Sequence, residues 1–226
     1  MEPWFHLDTS IIPGEFEPMR LMRRGDEYSI RVGAIELMNN RQCGSETALA
    51  TLTCERLANR PRARMLIGGL GMGFTLVAAL KALGPEARIT VAELVPAVVA
   101  WARGPLSHLF GDSLDDPRVE IRVDDVNRVI QKVPAFYDAI LLDVDNGPEG
   151  LTRQENDRLY DIQGLARARY ALRPGGILGV WSSGPDRKFK ARLQHAGFDV
   201  DELRVHAHGS SGRRHVIWLG TRVERA

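Results

Sequence analysis

Four stretches of the 226-residue chain carry side chains that could do chemistry. In Ile67-Gly68-Gly69-Leu70-Gly71-Met72-Gly73, glycines fall where an apolar run gives way to a helical pattern. Glycines let the backbone turn sharply and let a ligand come close to a helix N-terminus. The spacing is G-x-G-x-G, not the G-x-G-x-x-G of dinucleotide folds, and a plain strand-to-helix turn is the alternative. Glu93 ends the second apolar run 20 residues after Gly73, where a carboxylate can accept two hydrogen bonds from a ribose diol. Asp124-Asp125 closes the third run; a carboxylate there can accept from an adenine amino group or cap the following helix. Asp125, adjacent to that helix, is favoured over Asp124. The fourth run, Tyr137 to Leu142, delivers Asp143 and then Asp145, and Gly147-Pro148 turns the chain away. An apolar strand that delivers a carboxylate to the ligand-binding edge points to a functional role for Asp143. An acidic loop capping the next helix is the alternative, and it fits Asp145 and Asn146 better than Asp143. Magnesium would accept oxygen ligands here, but no further ligand is identifiable and no metal is expected.

Other candidates carry less. His206-Ala207-His208 puts two imidazoles on one strand face without a third ligand, so surface histidines are the better reading. Arg213-Arg214-His215 reads as a solvated hairpin tip or an anion contact. Trp181 ends the fifth run beside the presumed pocket, where it either walls a substrate site or belongs to the core. Tyr160 reads as core. No GxxxxGK[ST] is present, which disfavours a P-loop nucleotidase.

These side chains need a scaffold that brings strand ends together, and the hydrophobic pattern supplies one. Val/Ile/Leu-rich strands are predicted at Arg64–Ile67, Arg88–Glu93, Val119–Val123, Tyr137–Asp143 and Gly176–Trp181. Helices are predicted at Phe74–Leu83, Pro96–Ala102, Val126–Lys132, Thr152–Leu172 and Arg187–His195. Strands of this composition suit a parallel sheet covered on both faces. Glu202–Ala207 and His215–Thr221 then form a hairpin. The expected fold is α/β, a doubly wound Rossmann-like seven-stranded sheet whose last strand is antiparallel. Such sheets bind ligands beyond the carboxyl ends of their strands. Ahead of it, Met19–Arg23, Tyr28–Val32 and Ala34–Met38 read as a small β-meander, and Ser45 as the cap of a helix, Glu46–Leu57. Residues 1–60 are too few to fold securely alone, so they are expected to pack on a nucleoside-binding domain of residues 61–226.

Composition narrows the function. Apolar residues make up 44% and charged residues 26% of the chain, the balance of a globular protein. Thirty basic against 29 acidic side chains give a formal charge of +1, which argues against general nucleic-acid binding. Cys43 and Cys54 form no metal or disulfide pattern. No basic leader precedes an apolar run, and no apolar stretch reaches the ~18 residues of a membrane span. A cytoplasmic protein is therefore expected. Small meanders expose strand edges, and pairing between two copies would give a homodimer.

GGLGMG after a strand, Glu93, Asp125 and Tyr137–Pro148 together resemble the class I S-adenosylmethionine-dependent methyltransferase fold. Gly150-Leu151-Thr152, Leu159-Tyr160, Leu172-Arg173-Pro174-Gly175-Gly176, the N-terminal meander and Ser45-Glu46 narrow this to its spermidine synthase (polyamine aminopropyltransferase) branch. The resemblance implies that Glu93 holds a ribose, Asp125 an adenine amino group, Gly69, Gly71 and Gly73 the methionine-derived part, and Asp143 the reacting amine. Asp145 would be a second cation contact, with Glu46 and Trp181 as further substrate contacts. This chain departs from the branch at three places. Gly71 stands where an aspartate usually grips the aminopropyl ammonium. Asp143 and Asp145 are two apart instead of three, and Gly44-Ser45-Glu46 replaces Tyr-His-Glu.

The activity this implies is aminopropyl transfer from decarboxylated S-adenosylmethionine to a small amine. The alternatives are methyl transfer from S-adenosylmethionine to a small molecule, and a non-catalytic module that binds a nucleoside.

Overall fold

The computed structural model describes residues 2–14, 16–41, 43–57, 59–131, 133–144, 157–208 and 211–223. An antiparallel sheet opens the chain, with strands β1 (Phe5–Ile11), β2 (Pro18–Arg24), β3 (Glu27–Val32) and β4 (Ile35–Asn39) in sequential order. Its last three strands fall where the alternation placed them; β1 is an addition. Helix α1 (Gly44–Arg56) follows. Its N-cap position is Cys43, with no side-chain cap, so Ser45 lies inside the first turn and does not cap the helix as its residue type suggested.

Next come β5 (Arg64–Gly68), α2 (Phe74–Ala82), β6 (Arg88–Glu93), α3 (Pro96–Arg103), the short α4 (Ser107–Phe110), β7 (Val119–Val123), α5 (Val126–Gln131) and β8 (Tyr137–Leu142). The described chain resumes with α6 (Asp157–Tyr160), α7 (Ile162–Ala171), β9 (Leu172–Ser182), α8 (Arg187–His195), β10 (Phe198–His208) and β11 (Ser211–Arg222). The seven-stranded sheet runs β10-β11-β9-β8-β5-β6-β7. The neighbours β7, β6, β5, β8 and β9 pair in parallel, and β11 lies antiparallel between β9 and β10. The doubly wound sheet with an antiparallel last strand is thus present, and that strand is inserted inside the sheet.

One long helix was expected over 152–172. Where it is described, Asp161 interrupts it: its backbone is extended, and its carboxylate accepts from Gly164 N to cap α7. Arg173-Pro174-Gly175-Gly176 does not precede β9 but forms an irregularity within it, since Tyr137 pairs with Leu172 and Ala139 with Ile177.

Strand residues alternate between two cores, as the period of two requires. Met65, Ile67, Ala139, Leu141, Ile217 and Leu219 face α1 to α4 and the buried side of the small sheet, including Leu21 and Ile30. Leu66, Ile140, Leu142, Val180, Val216 and Trp218 face α5, α7 and α8. There the edge-to-face pairs Tyr160–Phe189 and Phe189–Trp218, both with centroids 5.8 Å apart, fill the space. Helix α1 comes very near β9, because a side chain at Gly179 would meet Leu49 and Thr53 at 3.1 and 2.9 Å. That approach carries the first turn of α1 to the carboxyl ends of the strands. At their opposite end, buried Asp138 is held by Arg60 at 2.6 Å and Arg173 at 3.0 Å.

Candidate active site

Two adjoining cavities lie beyond the carboxyl ends of β5, β6 and β8, sharing Leu37, Met38, Gly69, Gly71 and Asp143 in their walls. The first, about 120 Å³, is mainly apolar, with Ile12, Met19, Val95, Val98 and Val126 around Glu93 and Asp125. The second, about 310 Å³, is walled by Glu36, Asn39, Glu46, Met72, Gly73, Phe74, Trp181, Ser183 and His215. Residues of the small sheet roof both.

Glu93 is buried at the end of β6, and its two oxygens accept from Leu70 N and Val95 N, each at 2.8 Å. Burial raises its pKa, and these backbone donors partly offset the rise. The glutamate thus fastens the glycine turn to the second strand while facing the apolar cavity. The backbone N–H groups of Gly71 and Leu94 also lower its pKa, so a ribose diol would share these oxygens with a cradle of backbone donors. Asp125 lines the same cavity and also accepts from Asn127 N at 2.8 Å, doing the helix-capping work of the plainer reading as well. Asp124 accepts instead from Asp125 N at 2.9 Å.

The glycine turn is shaped by close approach. Gly69 has φ +87° and would place a side chain 2.8 Å from the Asp143 carbonyl oxygen, so the turn lies directly against the end of β8. Gly71, at φ +50°, faces the Met38 sulfur, 3.3 Å from where a Cβ would stand. A thioether therefore occupies the space into which a longer side chain at 71 would point. Gly73, with φ +83°, precedes α2 and packs on the Phe110 ring.

Two carboxylates meet in the larger cavity. Asp143 accepts from the Thr75 hydroxyl at 2.7 Å. Burial, and then the charge of Glu46, push its pKa up to about 7, while the Thr75 bond opposes the shift. Glu46 accepts from the Ser45 hydroxyl at 2.7 Å, and burial raises its pKa too. Like charges in a poorly solvated space resist ionising together, and a cation placed between them relieves both penalties. Trp181 walls this cavity edge-on to His215, with centroids 4.7 Å apart. His215 sits within β11 opposite Val205 and is buried, so it is not at the hairpin tip. Glu36 is already engaged by Ser29, Asn39 and Arg41, at 2.6, 2.8 and 3.1 Å.

Of the sequence-predicted residues, the structure brings together Gly69, Gly71, Gly73, Glu93, Asp125, Asp143, Glu46 and Trp181. Asp145, with Asn146, Gly147-Pro148 and Gly150-Leu151-Thr152, lies outside the described residues. Among the described residues no group of three or more His, Cys, Asp or Glu side chains could hold a metal ion. No described helix is long and apolar enough to cross a membrane. Thr75, Ser45 and His215 were not read as site residues. A threonine in the first turn after the glycines was the one local hint; the other two are joined only by the fold.

The fold is that of the class I S-adenosylmethionine-dependent methyltransferases. Spermidine synthase from Thermotoga maritima superposes with a TM-score of 0.76 over 96% of this chain and 72% of that one, at 15% identity. A Burkholderia thailandensis 1,6-didemethyltoxoflavin-N1-methyltransferase does so at 0.56, covering 80% and 79% of the two chains at 21% identity. In sequence the chain is 26% identical over 201 residues to the polyamine aminopropyltransferase of Mycobacterium tuberculosis H37Rv, which spans 84% of this chain but 37% of that protein. No protein-family model matches. The chain is thus similar in sequence to polyamine aminopropyltransferases and in fold to spermidine synthases.

Proposed function

We propose that the chain transfers an aminopropyl group from decarboxylated S-adenosylmethionine to a small amine. One observation carries the choice: beyond the glycine turn the acidic walls are Glu46 and Asp143, whereas Glu36 at the side is paired with Arg31 and Arg41. Among the described residues lining either cavity there is no lysine or arginine. An intact methionine carboxylate would have to lie near like charges, whereas a donor bearing only cationic groups, and a cationic acceptor, are attracted.

In this reading the purine and sugar occupy the apolar cavity, with Glu93 on the diol and Asp125 on the adenine amino group. The reactive carbon then lies past Gly69 and Gly71, facing Asp143. The acceptor nitrogen bonds to that carbon, the carbon–sulfur bond breaks, and its electron pair stays on sulfur as a neutral thioether. A lysine-like amine has a pKa near ~10.4, and freeing it of a proton at pH 7 costs about 4–5 kcal/mol. Asp143, with its pKa raised to about 7, is matched to take that proton during attack, an effect typically worth ~10²–10⁴-fold. Asp145 would add a second cation contact.

Methyl transfer is the second reading, and Met38 against Gly71 favours it, because an apolar thioether stands where an ammonium would be gripped. Supplying each donor with a panel of primary amines and diamines tests the choice. Aminopropyl transfer leaves methylthioadenosine, and methyl transfer leaves S-adenosylhomocysteine.

A cytoplasmic setting belongs to this reading and is supported by Cys43 and Cys54, which stand as free thiols. So does a homodimer formed through β1, an edge strand whose Phe5, Leu7 and Ile11 are exposed.

A further inference from the structure

We infer that His215, acting through Ser45, is a positioning residue that sets the orientation of the Glu46 carboxylate in the acceptor cavity. The inference rests on the transferase reading for its functional meaning, but its geometry stands apart from it. His215 Nδ1 lies 2.9 Å from Ser45 Oγ, and Ser45 Oγ lies 2.7 Å from Glu46 Oε2. The imidazole comes from β11 and the other two side chains from α1, Ser45 lying 170 residues from His215 in sequence. Ser45 and His215 are both buried, while Glu46 and His215 both line the cavity.

A hydroxyl has one proton to give. When Glu46 is ionised it can only accept, so Ser45 donates to it and must then accept from His215. That fixes the proton of the imidazole on Nδ1. The edge-on Trp181 ring, 4.7 Å away, holds the imidazole plane. The chain His215 Nδ1–H to Ser45 Oγ–H to Glu46 Oε2 pins one oxygen of the carboxylate and thereby the plane of the other. Thr75 pins Asp143 in the same way, through Oδ2. Each of the two acids thus has its own hydroxyl anchor, and that of Glu46 is itself held by a further side chain, His215.

The test is ¹⁵N NMR of the histidine side chains in the full chain near neutral pH, together with acceptor kinetics. Wild type should show His215 protonated on Nδ1, and Ser45→Ala should lose that preference. Ser45→Ala and His215→Phe should each raise the acceptor KM roughly tenfold, the scale of one hydrogen bond to a charged group, with a much smaller change in kcat. The double variant should be no worse than either single one. His215→Asn, which keeps a donor near the Nδ1 position, should recover much of the loss. If His215 →Phe does not fold, Ser45→Ala and the tautomer still decide. Nε2 protonation of neutral His215 in wild type would overturn the inference, as would additive losses in the double variant. If wild type transfers nothing to any amine yet shows the Nδ1 tautomer and its loss in Ser45→Ala, the relay stands and the transferase reading falls.

Discussion

The Thr75 hydroxyl donates a 2.7 Å hydrogen bond to Oδ2 of Asp143, tying the first turn of α2 to the end of β8. This bond opposes the two influences that raise the Asp143 pKa, burial and the neighbouring Glu46. Thr75→Val should therefore raise that pKa further. The rising limb of rate against pH should move up by about one unit, since a hydrogen bond to a charged group contributes about 1.5–3 kcal/mol and one unit is about 1.36. Thr75→Ser should restore the profile. An unmoved limb would separate Thr75 from the ionisation of Asp143.

Asp143 should also show the usual conflict between stability and function. Its folded pKa of about 7 lies above the 3.8 of an ordinary aspartate. The folded chain thus holds a proton that the unfolded chain has released between those pH values, and stability falls as pH rises through that window. Asp143→Asn should remove this loss, which for a shift of this size is on the order of 4 kcal/mol between pH 4 and pH 8, while abolishing transfer. Denaturant melts of both forms at the two pH values check the sign. Equal pH dependence in the variant would contradict it.

Legibility in the sequence followed the reach of the signal. Glu93 and Asp143 could be read because an apolar strand fixes where its last residue emerges. The parallel strands could be read because they are buried on both faces. Strand β1 was missed since Phe-His-Leu-Asp-Thr-Ser-Ile is exposed along nearly its whole length and bears no buried alternation. The early start of β9 was hidden by Arg173-Pro174-Gly175-Gly176, which reads as a stop but is absorbed as a bulge. Ser45 matched the residue type of a cap, yet its hydroxyl is taken by Glu46 and His215. His215 read as the edge of a solvated hairpin tip or an anion contact because only the place of β11 between β9 and β10 buries it. Partnerships across 68 and 170 residues, such as Thr75 with Asp143 and Ser45 with His215, leave no local pattern.

The approach of Met38 to Gly71 gives a specificity test. Gly71→Asp alone should destabilise, as its φ of +50° is strained for a side chain and the Cβ would stand 3.3 Å from the Met38 sulfur; the cost should be about 1–2 kcal/mol. Adding Met38→Ala should recover part of that stability. It should also tighten binding of the decarboxylated donor, whose ammonium then meets a new carboxylate. Thermal melts and calorimetry on the single and double variants read both effects. No recovery in the double variant would remove Met38 as the obstacle.

Glu93 joins the glycine turn to β6 through Leu70 N and Val95 N. Glu93→Gln keeps one acceptor oxygen and loses the charge, so donor affinity should fall by roughly 10–100-fold, the scale of one or two hydrogen bonds to a charged group. Adenosine, which keeps the diol and lacks the sulfonium, should lose affinity to a similar degree. If adenosine binding were unaffected, the diol would not be held by this carboxylate.

The most direct measurement is paired calorimetry of the wild-type chain with decarboxylated and intact S-adenosylmethionine, followed by identification of the nucleoside left after incubation with amines. The carboxylate-lined cavity predicts at least tenfold tighter binding of the decarboxylated donor, about 1.4 kcal/mol, and release of methylthioadenosine. Tighter binding of the intact donor with release of S-adenosylhomocysteine would contradict aminopropyl transfer.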